Sequence, residues 1–480
     1  MKYSHALFLN PYFSASATSA MKLFPPTGLE YVATSAKECV DKLTLLDLRY
    51  ETGLSDIDAL LDFISREVDI VCVGIGWDRQ LPEIYSFLGR LPENIPLVIG
   101  GYTATEKVED IFEKCQKVNI IVRGEGEETI RDILRGASLE GILGISYRIN
   151  GKVIHNGNRS LPDVDKIIPP DRSLRRNKYR LILNGVNIAN LNFDTVLSAR
   201  GCPYNCKFCT FSMNPLGQKR DYSARSPLSV VDEISGIGAN VILFSDENFS
   251  VDPKRAEEIC DLIIARKVKK RFAAQVRLDI ARYPALLEKM VKAGFKALLI
   301  GIESPHDWIL AQLNKGFDSN TVRKSFAALN KYPIFYHGYF IYGNIGETEK
   351  EMLYIPEFAK EIGVDSVTCL KLRIEKFSPL KETALATPGY HVTDRGELYS
   401  DAYSHAALKK IGRRIKFSFY TPGRFLKIFS KFIKIRFFSF KEVVLLFLAF
   451  PLVLKNYIIR DIQKGRLLDS LKRSFISNTR

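Results

Sequence analysis

The sequence of 480 residues predicts an α/β protein built from two βα-rich domains. Three observations carry that prediction. Short apolar runs alternate with amphipathic segments over the first 140 residues, as a doubly wound parallel sheet requires. The same alternation resumes at Leu191 and repeats six times. Beyond Lys409 the composition turns basic and aromatic. The boundaries that follow are 1–140 for a Rossmann-like domain, 141–190 for a linker containing a hairpin, 191–385 for the second βα domain and 386–480 for a basic helical region.

In the first domain the apolar runs are Ala6–Leu9, Leu43–Leu48, Ile70–Ile75, Leu97–Ile99 and Asn119–Val122. Their length and Val/Ile/Leu content suit strands buried on both faces. Ile57–Arg66 and Val108–Cys115 have helical period. Open sheets of this kind bind ligands beyond the carboxyl ends of their strands. The loops there are rich in small residues: Ser14–Ala20, Gly74 to Gly76, Gly100-Gly101-Tyr102 and Gly124-Glu125-Gly126. Glycines let a backbone turn sharply or approach a large flat ligand. Most such loops only connect elements, and none here is a G-x-G-x-x-G or a P-loop.

Asn150-Gly151 between Ile145–Ile149 and Lys152–Ile154 is a two-residue hairpin signal. Pro162, Pro169 and Pro170 then stop regular structure. Arg172 to Arg180 is basic and reads as exposed. In the second domain the strand-like runs are Thr195–Ser198, Val241–Phe244, Phe272–Val276, Ala297–Ile300, Ile334–Ile341 and Ser366–Lys371. Leu228–Ile234, Pro253–Ala265 and Thr321–Asn330 supply helices between them.

Immediately after the first of these runs lies Ser198-Ala199-Arg200-Gly201-Cys202-Pro203-Tyr204-Asn205-Cys206-Lys207-Phe208-Cys209, with a C-x3-C-x2-C spacing. Three thiolates on one loop can hold three irons of a cube and leave the fourth open. A zinc site takes four ligands, and no second C-x2-C or H-x3-5-H accompanies this one. A disulfide needs an oxidising compartment, and no secretory signal precedes the chain. Cys39, Cys72, Cys115, Cys260 and Cys369 are scattered and read as small buried hydrophobes in a reducing cytoplasm. At these residues, with Phe208 before the last cysteine, the sequence resembles the radical SAM enzymes. The resemblance implies a [4Fe–4S] cluster on Cys202, Cys206 and Cys209, and S-adenosylmethionine (SAM) chelated to the open iron. It also implies a partial (β/α)6 barrel of TIM type and reductive cleavage of SAM to a 5′-deoxyadenosyl radical that abstracts hydrogen from inert C–H bonds.

Barrel enzymes carry functional groups at the C-terminal ends of strands. Ser245-Asp246-Glu247-Asn248 closes the second run; the resemblance gives a carboxylate there the methionine ammonium. Gln275 and Arg277 close the third, and Arg277 can pair with a carboxylate. Glu303 closes the fourth, where the resemblance implies a ribose-hydroxyl acceptor. Gly343 to Gly346, with Glu347, closes the fifth and resembles the glycine motif beside adenine. An acid after a strand is also a common helix N-cap; the order of the whole set behind the cysteine loop carries the reading.

The first domain resembles the cobalamin-binding domain that precedes many radical SAM domains. The residues are Phe24-Pro25-Pro26-Thr27-Gly28-Leu29-Glu30-Tyr31, Leu46-Asp47-Leu48-Arg49, Ile99-Gly100-Gly101 and Arg123-Gly124-Glu125-Gly126-Glu127. Gly28, Asp47, Gly74, Gly100, Gly101, Gly124 and Glu125 are then the cofactor-binding candidates. Many such domains carry D-x-H-x-x-G, whose histidine binds cobalt. Here Arg49 stands at the histidine's place, so the resemblance implies cobalamin held without a protein histidine. Against this stands a vestigial Rossmann fold without B12, because fold does not imply function.

Few general bases are on offer. His337 lies within the fifth run, with Tyr336 on the opposite face from His337 and Tyr339; a satisfied rim or core histidine is the more economical reading. Net charge is +15, and from Lys409 to Arg480 there are 18 Lys and Arg against 3 Asp and Glu. The remainder therefore balances, 51 basic against 51 acidic, and a nucleic-acid partner is not indicated. Phe425 to Lys434 sets Lys427, Lys431 and Lys434 against aromatics, an interfacial pattern. Val443 to Leu454 is uncharged, interrupted by Pro451, and too short for the roughly 20 residues a bilayer requires. Packing on the barrel is favoured over docking on anionic membrane; docking would suggest a lipid or isoprenoid substrate.

The resulting reading is a cobalamin-dependent radical SAM C-methyltransferase of a small molecule or lipid. Its electron donor would be of flavodoxin or ferredoxin kind, and its location cytoplasmic or peripheral on the inner membrane face. A radical SAM cyclase or oxidoreductase, a non-catalytic cobalamin and cluster sensor, and a methylthiotransferase are the alternatives. The last would want a second cysteine cluster.

Overall fold

β1 (His5–Asn10) is buried along nearly its whole length, and its side chains alternate between two cores. Leu7 and Leu9 join one apolar cluster while Ala6 and Phe8 join the other. That is what a strand covered on both faces requires, and it explains the unbroken apolar run. The protein was analysed as a computed structural model that describes residues 2–13, 23–51, 53–54, 56–183, 186–209 and 213–463. The small-residue loop Ser14–Ala20 lies outside them.

β1 sits between β2 (Lys42–Asp47) and β3 (Ile70–Gly74), and the sheet continues through β4 (Leu97–Gly100) and β5 (Ile120–Val122), all parallel. The order 2-1-3-4-5 reverses direction at β1, so a crevice opens beyond the carboxyl ends of β1 and β3. The hairpin β6 (Ile145–Ile149) and β7 (Lys152–His155) does not stand apart as a connector. It extends this sheet antiparallel to β5.

The second sheet runs in the order β16-β15-β14-β13-β12-β9-β8. β8 (Arg180–Leu183) is antiparallel to β9 (Val186–Val196), and the rest are parallel. β10 (Ala199–Arg200) and β11 (Ser223–Ala224) pair across the cysteine loop. β12 (Val241–Phe244), β13 (Arg271–Val276), β14 (Phe295–Glu303), β15 (Phe335–Tyr342) and β16 (Ser366–Lys371) complete a half-barrel. β17 (Tyr390–Val392) and β18 (Leu398–Ser400) form a small separate pair. Phe272, Leu298, Ile300 and Tyr336 share a core with Val322 and Phe326 of the helix Ser319–Leu329. The alternate positions, Gln275, His337 and Tyr339 among them, therefore face the inside of the barrel.

The basic segment after Pro170 is on the surface only in part: Arg176, Lys178 and Arg180 are exposed, while Arg172 and Arg175 are largely withdrawn from water. The Arg175 guanidinium forks between Glu30 of the first domain (2.6 and 2.7 Å) and Asp194 of β9 (2.6 and 2.9 Å). Arg172 binds Asp194 at 2.9 Å and Glu233 at 2.7 Å. A charge in the sequence marks a solvated face only until it finds a partner of opposite sign; Arg175 ties the first domain to the barrel, and Arg172 fastens the connecting segment to the barrel. Among the described residues no helix is long and apolar enough to cross a membrane. The final helix, Phe440–Gln463, runs through Pro451 instead of breaking there. Pro451 is exposed, so the carbonyl it leaves unbonded can turn to water.

Arg175→Ala should cost about 3–5 kcal/mol, because it leaves Glu30 buried without its cation and Asp194 with only Arg172. Denaturant unfolding of the single variant, set against Arg175→Met/Glu30→Gln, measures this; the double variant should recover part of the loss.

Candidate active site between the two domains

The cysteine loop is built on a buried carboxylate. Asp246, just past β12, accepts from the backbone N–H of Ser198 (2.6 Å), from the Ser198 hydroxyl (2.5 Å) and from the N–H of Ala199 (3.2 Å). Arg255 adds a bond to the Ser198 carbonyl at 2.8 Å. Burial pushes the Asp246 carboxyl up, and the Ser198 donors pull it back. Gly201 then turns with φ +87°, where a Cβ would lie 2.4 Å from the Asp221 carbonyl oxygen, so glycine is obligatory there. Its N–H donates to Glu247 at 3.1 Å.

Asp246 and Glu247 therefore divide the work that the sequence assigns to either. Asp246 is bonded beneath the loop and does not line the cavity between the domains. Glu247 lines the cavity between the domains, and burial pushes its carboxyl up to about 7.

Cys206 is buried, whereas Cys202 and Cys209 are partly exposed. Arg277 stands behind the loop with Nη1 3.6 Å from the Cys206 sulfur. It bonds the Lys315 carbonyl at 2.6 Å and Asp279 at 3.1 Å, and lies over the Tyr204 ring. It thereby sets positive charge beside the thiol. Among the described residues no group of three His, Cys, Asp or Glu closes on a point, as a single bound ion would need. A cube gripped at separate corners makes no such demand. The loop's own residues fit a cluster: thiols on one turn, with a buried cation at hand.

The cavity has a volume of about 800 Å³. Gly28, Gly74, Gly100, Gly101, Gly124 and Glu125 line it from the first domain; Arg200, Ser245 and Glu247 line it from the barrel. Gly101 has φ +108°, and a Cβ there would lie 2.6 Å from the Ile75 carbonyl oxygen. Leu197, Arg200 and Ser245 follow β9 and β12, so the cavity opens where the carboxyl ends of both sheets face each other. The Tyr31 hydroxyl on its wall is buried without a hydrogen-bond partner, and Arg200 lies over the Tyr31 ring. Glycine rims, an apolar floor of Phe8, Val73 and Val98, and an unmet hydroxyl fit a large flat amphipathic group.

Asp47 does not line this cavity. It accepts from Asn10 (2.9 Å), from the Tyr179 hydroxyl (2.9 Å) and from Arg49, whose guanidinium forms part of the wall. A guanidinium offers donors but no lone pair to a metal.

The remaining candidates stand apart from the cavity. Gln275 faces the barrel interior, and its backbone carbonyl accepts from the Phe249 N–H. Glu303, in a left-handed conformation of φ +71°, is paired with the buried Lys315 at 3.1 Å. Gly343 and Gly346 turn with φ +73° and +85° around Asn344 and Glu347. Burial pushes the Glu347 carboxyl up to about 7. His337 faces inward, its Nδ1 2.7 Å from Ser366 Oγ and its Nε2 3.0 Å from Thr368 Oγ1, so both ring nitrogens are engaged on the neighbouring strand.

Sequence reasoning missed the joint that assembles this site. Arg200, inside the cysteine loop, donates to Glu125 and to Glu127, each at 2.6 Å, and Arg220 adds a contact to Glu125 at 3.2 Å. Glu125 is thus an ion-pair partner on the cavity rim. The available signal was the presence of Arg200 within one motif and paired acids within another. Lys315 carried no signal of its own.

Residues 196–359 match the model of the Radical SAM superfamily, so the chain carries that domain. It is 29% identical over 369 residues to an uncharacterized methyltransferase of Pyrococcus horikoshii, covering 75% of this chain and 78% of that one. It is 26% identical to the anaerobic magnesium-protoporphyrin IX monomethyl ester cyclase of Cereibacter sphaeroides, covering 72% of this chain and 58% of that one. In fold it is similar to the radical S-adenosylmethionine methyltransferase TsrM of Kitasatospora setae, solved with cobalamin and a [4Fe–4S] cluster. That match has a TM-score of 0.67 at 15% identity and covers 87% of this chain and 89% of that one.

Burial lowers the His337 imidazole to about 4. The folded state then binds fewer protons than the unfolded one between pH 6.5 and about 4. Stability should fall as pH drops through that window and level off below it. His337→Asn should flatten this acid loss, as read by denaturant midpoints across the range.

Proposed function

We propose that this radical SAM enzyme is a cobalamin-dependent C-methyltransferase acting on an unactivated carbon of a small molecule. The observation that carries the proposal is the shared cavity: Arg200, two residues before Cys202, and Glu247 line it opposite the glycine rims of the first domain. When bound, the cluster and SAM would supply a 5′-deoxyadenosyl radical, and cobalamin would supply the methyl group.

The chain's part is to hold and orient. Cys202, Cys206 and Cys209 would hold the cluster, with Arg277 balancing thiolate charge at Cys206. Glu247 would accept hydrogen bonds from the SAM ammonium. Glu303 would meet the ribose through the oxygen not paired with Lys315, and Gly343 and Gly346 would admit adenine. Gly74, Gly100, Gly101 and Gly124 would let the corrin ring approach the backbone. Arg49, in place of a histidine, would leave cobalt without a protein nitrogen on that side. Closure of the two domains would exclude water from the radical. An external reductant of flavodoxin or ferredoxin kind would deliver the electron, in the cytoplasm or on the inner face of the membrane.

A second reading, a radical SAM cyclase that does not transfer methyl, is favoured by the similarity to the Cereibacter enzyme. Products separate them: a methylated product with S-adenosylhomocysteine supports methyl transfer, and 5′-deoxyadenosine with an unmethylated product supports the alternative.

Replacing any of Cys202, Cys206 or Cys209 by Ala should abolish both the cluster's visible absorbance and 5′-deoxyadenosine formation after anaerobic reconstitution. Survival of either in a variant would refute the cluster assignment.

A further inference from the structure

We propose that the C-terminal helices form a docking face for an anionic lipid bilayer, and that this face lies at the opposite end of the barrel from the catalytic cavity. The helix Pro422–Lys434 has no buried residue. At about 100° per residue, Phe425, Leu426, Phe429 and Ile433 share one side of it. Phe425, Leu426 and Ile433 are exposed, Leu426 by 72%. The helix Phe440–Gln463 carries apolar residues on both sides of its first four turns, and among the described residues one side packs on the barrel while the other is exposed. Leu445, Leu446, Ala449 and Val453 pack against Leu191, Phe193 and Val241, while Phe440, Val444, Phe447, Leu448 and Leu452 are exposed. The edge contact of Phe429 with Phe447, 5.7 Å between centroids, joins the two exposed sides into one apolar surface.

Charge identifies the occupant. From 405 to 456 the chain carries twelve Lys and Arg against one acidic residue, Glu442, which is itself paired with Arg271 at 2.9 Å. A cleft of about 460 Å³ beside the apolar surface is lined by Arg424, Lys427, Lys431 and Lys434 together with Asp365. The Arg424 Nε and Nη2 are buried there without hydrogen-bond partners. A second copy of this chain would bring the same positive field against it, whereas phospholipid headgroups complement it and acyl chains accept the exposed aromatics.

The orientation follows from the anchors. Phe432 stacks on Phe335, the first residue of β15, at 4.5 Å. Lys431 pairs with Asp365, just before β16, at 3.6 Å. Lys296 at the start of β14 donates to the Ile435 carbonyl at 2.8 Å, and Arg271 begins β13. All lie at the amino ends of the barrel strands, and the cavity lies beyond the carboxyl ends. Docking thus tethers the enzyme with its cavity turned from the bilayer, and the tail does not argue for a lipid substrate.

The test is sedimentation of the reconstituted full chain with phosphatidylglycerol–phosphatidylcholine vesicles and with phosphatidylcholine vesicles alone. Binding should require phosphatidylglycerol, weaken with salt, and fall roughly tenfold in Leu426→Glu/Phe447→Glu. Reductive SAM cleavage in solution should be unchanged in that variant, since neither residue touches the cavity. Absence of binding to phosphatidylglycerol vesicles, equal binding by the folded double variant, or a wild-type dimer that the variant dissolves would each overturn the proposal. None of these outcomes bears on the cofactors, so failure here and failure of the methyltransferase reading are distinguishable.

Discussion

The fork of Arg200 between Glu125 and Glu127 is the interaction on which the site depends. Arg200 is two residues from Cys202, and the two glutamates bracket Gly126 on the rim of the first domain's sheet. One guanidinium therefore fixes the cysteine loop against the glycine loops that face it. All three side chains are largely withdrawn from water, so neither sign can be left alone without a penalty of several kcal/mol, on the order of that for breaking a buried pair. Arg175, between Glu30 and Asp194, repeats the device further from the cavity. Two sheets that each end in loops cannot align their carboxyl ends through apolar packing alone, because that packing lies behind the loops. Charged groups of fixed geometry on the loops themselves supply the registration.

This arrangement also explains the division between neighbouring residues. Asp246 and Glu247 are adjacent past the end of one strand, and consecutive side chains point to opposite sides. One turns under the cysteine loop and holds its backbone; the other turns into the cavity. Burial pushes both carboxyls up, and each is partly held back by its own donors, Ser198 for Asp246 and the Gly201 N–H for Glu247. A loop that must hold three thiols in place gains rigidity from the first, and the cavity gains an acceptor from the second.

The sheets were legible in the sequence because strands buried on both faces leave continuous apolar runs, as Ala6–Leu9 and Ile70–Ile75 do. The cysteine loop was legible because its chemistry is encoded in local spacing. What escaped is non-local. Arg200 and Glu125 are 75 positions apart, and no periodicity connects them. Arg172 and Arg175 read as surface because charge is taken as exposure until a partner is known. The hairpin at Asn150-Gly151 was visible as a hairpin, but not its attachment to β5, which is set by pairing alone. Pro451 signalled a break that an exposed helix side can absorb.

The central claim is that the cavity joining the two domains receives a corrin ring beside the cysteine loop, with no protein nitrogen on cobalt. The most direct measurement is the visible spectrum of the anaerobically reconstituted protein after cobalamin loading and removal of unbound ligand. The account predicts retained corrin bands of cobalamin lacking a histidine ligand, superimposed on the broad shoulder of an iron–sulfur cluster. A spectrum with the shoulder but no corrin bands would contradict it.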